Sequence, residues 1–146
     1  MKTKQISVFL ENRSGRLAGV LGILSSIGAN IRALSLADTN DFGILRLIVD
    51  KPDEALAALK SGHFTVLSTD VLAVEVPDRP GGLQGILEVL AAADVNVEYM
   101  YAFVTRKTEK AVVIFRFEDA DEAFAALQKA GVSVLDENAV HDLCTQ

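Results

Sequence analysis

The sequence predicts an α+β protein made of two copies of a β-α-β-β-α-β unit, each an antiparallel sheet with helices on one face. A glycine-containing loop occurs twice, because Gly81 follows Gly15 by 66 residues (81 − 15 = 66), and the same offset separates Leu17 from Leu83. In both copies, segments in which every second residue is apolar, as in a strand, lie on either side of segments in which apolar residues recur every three or four positions, as in a helix. We expect one unit in residues 1–69 and the other in residues 70–146.

The elements of the first copy follow from its periodicities. Alternation from Ile6 to Leu10 predicts a strand, and an apolar stripe from Leu17 to Ile27 predicts a helix that ends at Gly28. Asp50 is expected to cap the second helix. The remaining predicted elements are strands at Ile31 to Asp38, Ile44 to Val49 and Phe64 to Leu67, and a helix carrying Ala55, Leu56 and Leu59.

The second copy repeats this order. Asp119 and Glu122 form a capping box before its second helix, and the chain from Asp136 onward is expected to be looser. Two extra residues are expected in a hairpin loop around Thr105 to Lys110. The predicted strands are Val71 to Val76, Val95 to Val104, Ala111 to Phe117 and Val132 to Leu135, and the first helix carries Leu83, Ile86, Leu87 and Leu90. This order is that of ferredoxin-like folds.

Composition excludes several classes of function. The net charge of −6 and the lack of any Lys/Arg-rich run argue against nucleic acid as a ligand. No apolar run approaches the ~18 residues of a membrane span, and a single cysteine permits no internal disulfide, so we expect a cytoplasmic protein off the membrane. No phosphate-binding motif or nucleophile–base pairing is present, and His141 with Cys144 cannot close a zinc site. The sequence therefore predicts no cofactor, no metal and no catalytic residue.

The strands are apolar on both faces. Leu45 and Leu47 alternate with Ile44 and Ile48, and the second copy does the same. An antiparallel sheet with one face in water would alternate with polar residues. We therefore expect the face without helices to be covered by the other copy, by a second chain, or by both, and we predict a homodimer.

The repeated loop, Glu11 to Leu17 and Pro77 to Leu83, joins a strand to a helix in each copy. Such a loop offers free backbone N–H groups and the positive end of a helix dipole, which suit a carboxylate. Simpler roles are open as well. Asn12 and Asp78 are also suited to capping the helix, and Asn30 and Asn96 to capping a turn.

Two copies with Asn/Asp-Arg-Ser/Pro-Gly-x-Leu before the first helix and Asn-Ile/Val after it resemble a tandem ACT-domain protein from about Ile6 to Leu135. The resemblance implies a regulatory protein that binds a free amino acid where two ACT units pack side by side, and that acts on an enzyme or a regulator. Leu10 and Val76 stand where some serine-sensing members have histidine, which disfavours serine. By position, the implied ligand-binding residues are Asn12, Arg13, Ser14, Gly15, Arg16, Leu17, Asn30 and Ile31, with Asp78, Arg79, Pro80, Gly81, Gly82, Leu83, Asn96 and Val97.

Two alternatives compete with amino-acid sensing. One is a protein-interaction module without a small ligand. The other is a small dimeric enzyme of the ferredoxin-like type, which needs a buried general base. Neither His63 nor His141 is predicted on a strand or at the repeated loop, so the sequence favours a protein that is not an enzyme.

Overall fold

The computed structural model describes residues 2–11, 13–38, 42–103 and 110–144. The chain divides into two compact units, a first unit of Lys4–Thr69 and a second unit of Asp70–Gln146 together with Met1–Thr3. The β-α-β-β-α-β order occurs twice along the chain, in antiparallel sheets with helices on one face, so the ferredoxin-like fold class is confirmed. Within the described residues, every helix is too short or too polar to traverse a bilayer.

The elements of the first unit are β1 (Thr3–Glu11), α1 (Arg16–Ser26), β2 (Ile31–Asp38), β3 (Phe42–Val49), α2 (Pro52–Ser61) and β4 (Thr65–Pro77). The strand order is β2-β3-β1-β4, in which β3 pairs antiparallel with both β1 and β2. The boundary with the second unit falls within β4.

The elements of the second unit after β4 are α3 (Gly82–Ala92), β5 (Val97–Phe103), β6 (Lys110–Phe117), α4 (Ala120–Lys129), β7 (Val134–Leu135) and α5 (Glu137–Cys144). The strand order is β7-β4-β6-β5, equivalent to that of the first unit, with antiparallel pairing throughout. The helix α5 follows the short strand β7. Residues 105–109 of the predicted hairpin loop lie outside the described residues, and Lys110, its last predicted residue, begins β6.

Each unit buries one face of its sheet under its own helices. In the second unit, the Phe115 and Phe117 rings add a near-parallel stack with centroids 5.5 Å apart. The first core contains Ile6, Val8, Leu10, Val20, Leu24, Leu45, Leu47, Ala55 and Leu59, and the second contains Leu72, Val74, Val76, Ile86, Leu90, Val113, Phe115, Ala123 and Leu127. These are the stripes that the sequence predicts.

The opposite face of β1 has buried polar residues at Gln5 and Ser7, followed by the exposed Phe9. Gln5 and Ser7 alternate with Ile6 and Val8, and the Gln5 Nε2 donates a hydrogen bond to the Ser7 Oγ at 3.1 Å. Ile48 of β3 is also fully buried although it is not part of the helix-covered core. The homodimer stays a prediction.

The helix ends follow the predicted chemistry at most positions. Gly28, at φ 71°, ends α1, and the Ala29 N–H reaches back to the Leu24 carbonyl at 3.0 Å, as in a Schellman motif. The Asp119 carboxylate accepts a hydrogen bond from the Glu122 N–H at 3.0 Å, so the predicted cap of α4 is confirmed.

Two local predictions are wrong. Asp50 does not cap α2, whose N-cap is Lys51, because the Asp50 carboxylate instead accepts from the Asn30 N–H. The chain after Asp136 is not loose but forms α5, where the Asp136 carboxylate accepts from the Ala139 N–H at 2.7 Å. Val140 of this helix is fully buried and anchors it.

Candidate functional site

A cavity of about 390 Å³ lies beside the start of α1 in the first unit. Arg13, Arg16 and Leu17 line it from the loop and the helix. Leu10, Glu11, Leu36 and Gly43 line it from three strands. The repeated loop therefore borders a space large enough for a small molecule.

Gly15 turns the chain from the loop into α1. It is the N-cap at φ 87°, a left-handed conformation that glycine adopts without steric cost, and among the described residues no side chain caps the helix. Within the described part of the chain, the N–H groups of Leu17 and Ala18 have no hydrogen-bond partner. The positive end of α1 is therefore open to an anion.

Arg16 extends over an aromatic ring. Its Cζ lies 4.5 Å from the centroid of the Phe64 ring, a cation–π distance. The Arg16 Nε is buried and has no hydrogen-bond partner among the described residues. Phe64 is held by the end of α2, where its N–H donates to the Leu59 carbonyl at 3.1 Å and His63 takes a positive φ. The cavity thus has one cation held against a fixed aromatic surface.

A second cation in the cavity is paired with an acid. The Arg13 Nε lies 3.1 Å from the Glu11 Oε2, and both side chains are exposed. An exposed ion pair of this kind contributes only about 0–1 kcal/mol to stability. The two charged groups can therefore exchange this contact for contacts with a ligand at little cost.

The remaining walls are apolar. Leu10 is buried, Leu17 is half-buried and Leu36 is 51% exposed. Gly43 pairs with Leu10 in the sheet and has no side chain, which leaves the space open. A Cβ at Gly43 would lie 3.4 Å from the Leu36 Cδ1, so a larger residue would project into the cavity.

The structure places the predicted residues of the first unit in two regions. Ser14 and Gly15 are exposed in the loop, and Asn12 lies outside the described residues. Asn30 and Ile31 do not line the cavity. The Asn30 N–H donates to the Asp50 Oδ1 at 2.8 Å, and the Asn30 carbonyl accepts from the Asp50 N–H at 3.1 Å, so this backbone is already satisfied. Ile31 packs against the core.

The second copy of the repeated loop, Pro77 to Leu83, leads into α3 through a similar glycine turn. Gly81, at φ 83°, is the N-cap, and no side chain in the part of the chain that the structure describes caps the helix, so a capping role for Asp78 is wrong. Asp78, Arg79 and Pro80 are exposed. Leu83 and Val97 pack against the second core. A Cβ at Gly82 would overlap the carbonyl oxygen of Pro77, so this position accepts only glycine in the present backbone.

Asn96 lines a separate cavity of about 580 Å³ in the second unit. Its walls are mainly acidic, with Asp70, Asp94 and Glu118 among them. A hydrogen bond from Lys2 to Asp121, 3.0 Å away, raises the pKa of the Lys2 ammonium. Among the described residues, no group of three or more His, Cys, Asp or Glu side chains is arranged to hold a metal ion.

Sequence reasoning missed part of the first cavity. Leu10, Glu11, Leu36 and Gly43 line it, and Phe64 supports Arg16. The pairing register of the sheet indicates which strand residues lie beside the loop. Leu10 pairs with Gly43 on β3, and Leu36 pairs with Leu45, which is two residues after Gly43 and on the same face of the sheet. The pattern of one strand alone does not show which residues of other strands lie beside it.

A family model described as the ACT domain pair matches residues 1–144. The chain belongs to the ACT domain pair family. This ACT domain pair is similar to a Bacteroides thetaiotaomicron protein of known crystal structure, with 41% identity, a TM-score of 0.92 and 98% of both chains covered.

Two further relatives have names that describe subunits. The regulatory subunit of aspartate kinase from Thermus thermophilus, in its ligand-free form, has 20% identity and a TM-score of 0.62 over 87% of this chain and 91% of that chain, a likeness of fold. The acetolactate synthase small subunit of Buchnera aphidicola is 39% identical over 80 residues, which are 54% of this chain and 50% of the relative. The matched stretch thus spans half the length of that curated relative.

Proposed function

We propose that this ACT domain pair is a non-catalytic regulatory protein that binds a free amino acid in the cavity beside α1. The observation that supports this proposal is the set of groups in that one cavity. The open N–H group of Leu17, the Arg16 guanidinium and the Glu11 carboxylate belong to residues that line a partly apolar space. A zwitterion needs this combination of donors, an acceptor and an apolar wall.

Each group has a separate role in the proposal. The α-carboxylate lies at the start of α1, where the helix dipole and free N–H groups favour an anion. Arg16 reaches the same carboxylate from the side. Glu11 accepts from the α-ammonium after it exchanges its contact with Arg13. The side chain of the amino acid lies against Leu17 and Leu36.

The proposal includes a partner. Names of the relatives describe a small subunit of acetolactate synthase and a regulatory subunit of aspartate kinase. We place the present chain in a similar role, as a homodimer that reports amino-acid levels to an enzyme. Ligand binding can shift the equilibrium between two conformational states of the assembly only by the difference between the binding free energies of the ligand in those states. This difference is typically about 1–3 kcal/mol.

The prediction that a neighbouring ACT unit contributes Asn30 or Asn96 to the site belongs to the same proposal. Both Asn side chains are exposed and accessible to such a neighbour. If Asn30→Ala and Asn96→Ala both bind the ligand as the wild type does, this part of the proposal is wrong and the cavity binds its ligand without them.

A thermal-shift screen against the proteinogenic amino acids tests the proposal, and calorimetry on any positive amino acid measures its affinity. Gly43→Val fills the cavity and is expected to abolish the response. Gly22→Ala is the matched control, because its added methyl meets nothing within 4 Å. No response of the wild type to any amino acid, or an unchanged response of Gly43→Val, would refute the proposal. The first result would favour the protein-interaction module.

A further inference from the structure

The sheet registers identify equivalent positions in the two units. Leu10 pairs with Gly43 in the first unit, and Val76 pairs with Ala111 in the second. On the next strand, Leu36 pairs with Leu45 as Ala102 pairs with Val113. The wall residues of the first cavity can therefore be compared with their counterparts one by one.

The comparison separates what the units share from what they do not. Both have a leucine in the first turn of the helix, Leu17 and Leu83, and an exposed arginine in the loop, Arg13 and Arg79. Leu10 and Val76 are both buried aliphatic residues. Three other counterparts differ in chemistry.

Arg16 is replaced by Gly82, and Glu11 by Pro77. The second unit thus lacks both the half-buried cation and the acid at these places. It also has Ala102 where the first unit has Leu36, so part of the apolar wall is absent.

The backbone explains why the first helical position is an arginine in the first unit and a glycine in the second. In the second unit, the Gly82 N–H donates to the Arg79 carbonyl at 3.0 Å, and a Cβ at Gly82 would overlap the Pro77 carbonyl oxygen. In the first unit, the equivalent bond from the Arg16 N–H to the Arg13 carbonyl is longer, at 3.5 Å. The wider turn admits a side chain, and the tighter turn does not.

We infer that the chain binds one amino acid of apolar side chain, in the first unit only, and that Arg16 is the residue that selects its carboxylate. This inference rests on the proposed function. Glu11 provides the contact for the ammonium, and the three leucines Leu10, Leu17 and Leu36 form the contact for the side chain. A charged ligand side chain would lose hydration against the leucines without gaining a partner there.

Isothermal titration of the full chain tests this inference with L-leucine, L-serine, L-aspartate and L-lysine as probes. The expected result is one equivalent of L-leucine per chain, bound more tightly than the other three. Arg16→Gln is expected to weaken L-leucine binding by about tenfold or more, because the charge-assisted hydrogen bonds to the α-carboxylate are lost. Arg16→Lys, which keeps the charge without the planar fork, should lose less.

Arg79→Gln is the matched control, because it removes a loop arginine from the second unit and should change the affinity less than about twofold. Thermal melting of each variant shows whether it is folded. Two equivalents per chain, equal losses in Arg16→Gln and Arg79→Gln, or a preference for L-aspartate or L-lysine would overturn the inference and leave amino-acid binding intact. If no amino acid binds the wild type, the proposed function and the inference both fail.

Discussion

Replacing Gly82 by alanine tests the tight turn at the start of α3. The added methyl would overlap the backbone oxygen of Pro77, and neither group is a flexible side chain that can move away. The first turn of the helix must shift, and overpacking of this kind costs about 1–3 kcal/mol. Gly85, one turn later, has nothing within 4 Å of an added methyl. Alanine there should stabilise the protein by about 0.5–1 kcal/mol.

The two variants are thus expected to change the free energy of unfolding in opposite directions, with a difference of about 1.5–4 kcal/mol. Urea unfolding followed by far-UV circular dichroism measures this difference, provided that the slope of each transition stays constant. Suppose Gly82→Ala unfolds at or above the wild-type midpoint. The overlap with Pro77 would then not be what excludes side chains from this turn, and the explanation for the two unlike loops would fail.

Three further predictions concern stability, each measured by urea or thermal unfolding. Leu24→Ala should cost about 2–5 kcal/mol, because Leu24 is buried in the first core, and a loss below 1 kcal/mol would contradict that packing. Asp119→Ala should cost about 0.5–2 kcal/mol through loss of the α4 cap, whereas Asp119→Ser should retain most of the stability; equal losses would argue against a capping role. Gly15→Ala should cost about 1–2 kcal/mol, since φ is 87°, and Gly22→Ala should not destabilise; the opposite order would refute the left-handed turn.

The fold could be predicted from the sequence because local and long-range signals agree. Alternation, helical stripes and glycine positions each indicate the same elements, and β2 begins and ends at the predicted residues, Ile31 and Asp38. The error at α5 has a physical reason. This helix has eight residues and offers Val140 as its buried contact, too little for a periodic stripe to be recognised.

The error at Asp50 shows a limit of local rules. Aspartate before a proline-initiated helix is a sound capping signal, yet the carboxylate here bonds to the Asn30 N–H, twenty residues away in sequence. Tertiary competition of this kind is invisible in a single segment.

The candidate site was predictable only where it is local. Arg13, Arg16 and Leu17 belong to the loop and the helix start, and the repeat draws attention to them. Leu36 and Gly43 come from other strands, and their place beside the loop depends on sheet register. The support of Arg16 by Phe64 depends on the end of α2 and has no signal in the loop itself.

The alternation along β1 has a consequence for how the chain folds. Sliding β1 by one residue against β3 would bring Gln5 and Ser7 beneath the helices and expel Ile6 and Val8 from the core. Each polar group buried there without a partner would cost about 1–3 kcal/mol. A shifted register of β1 against β3 is thus much less stable than the native register, so the native register is strongly favoured while the sheet forms.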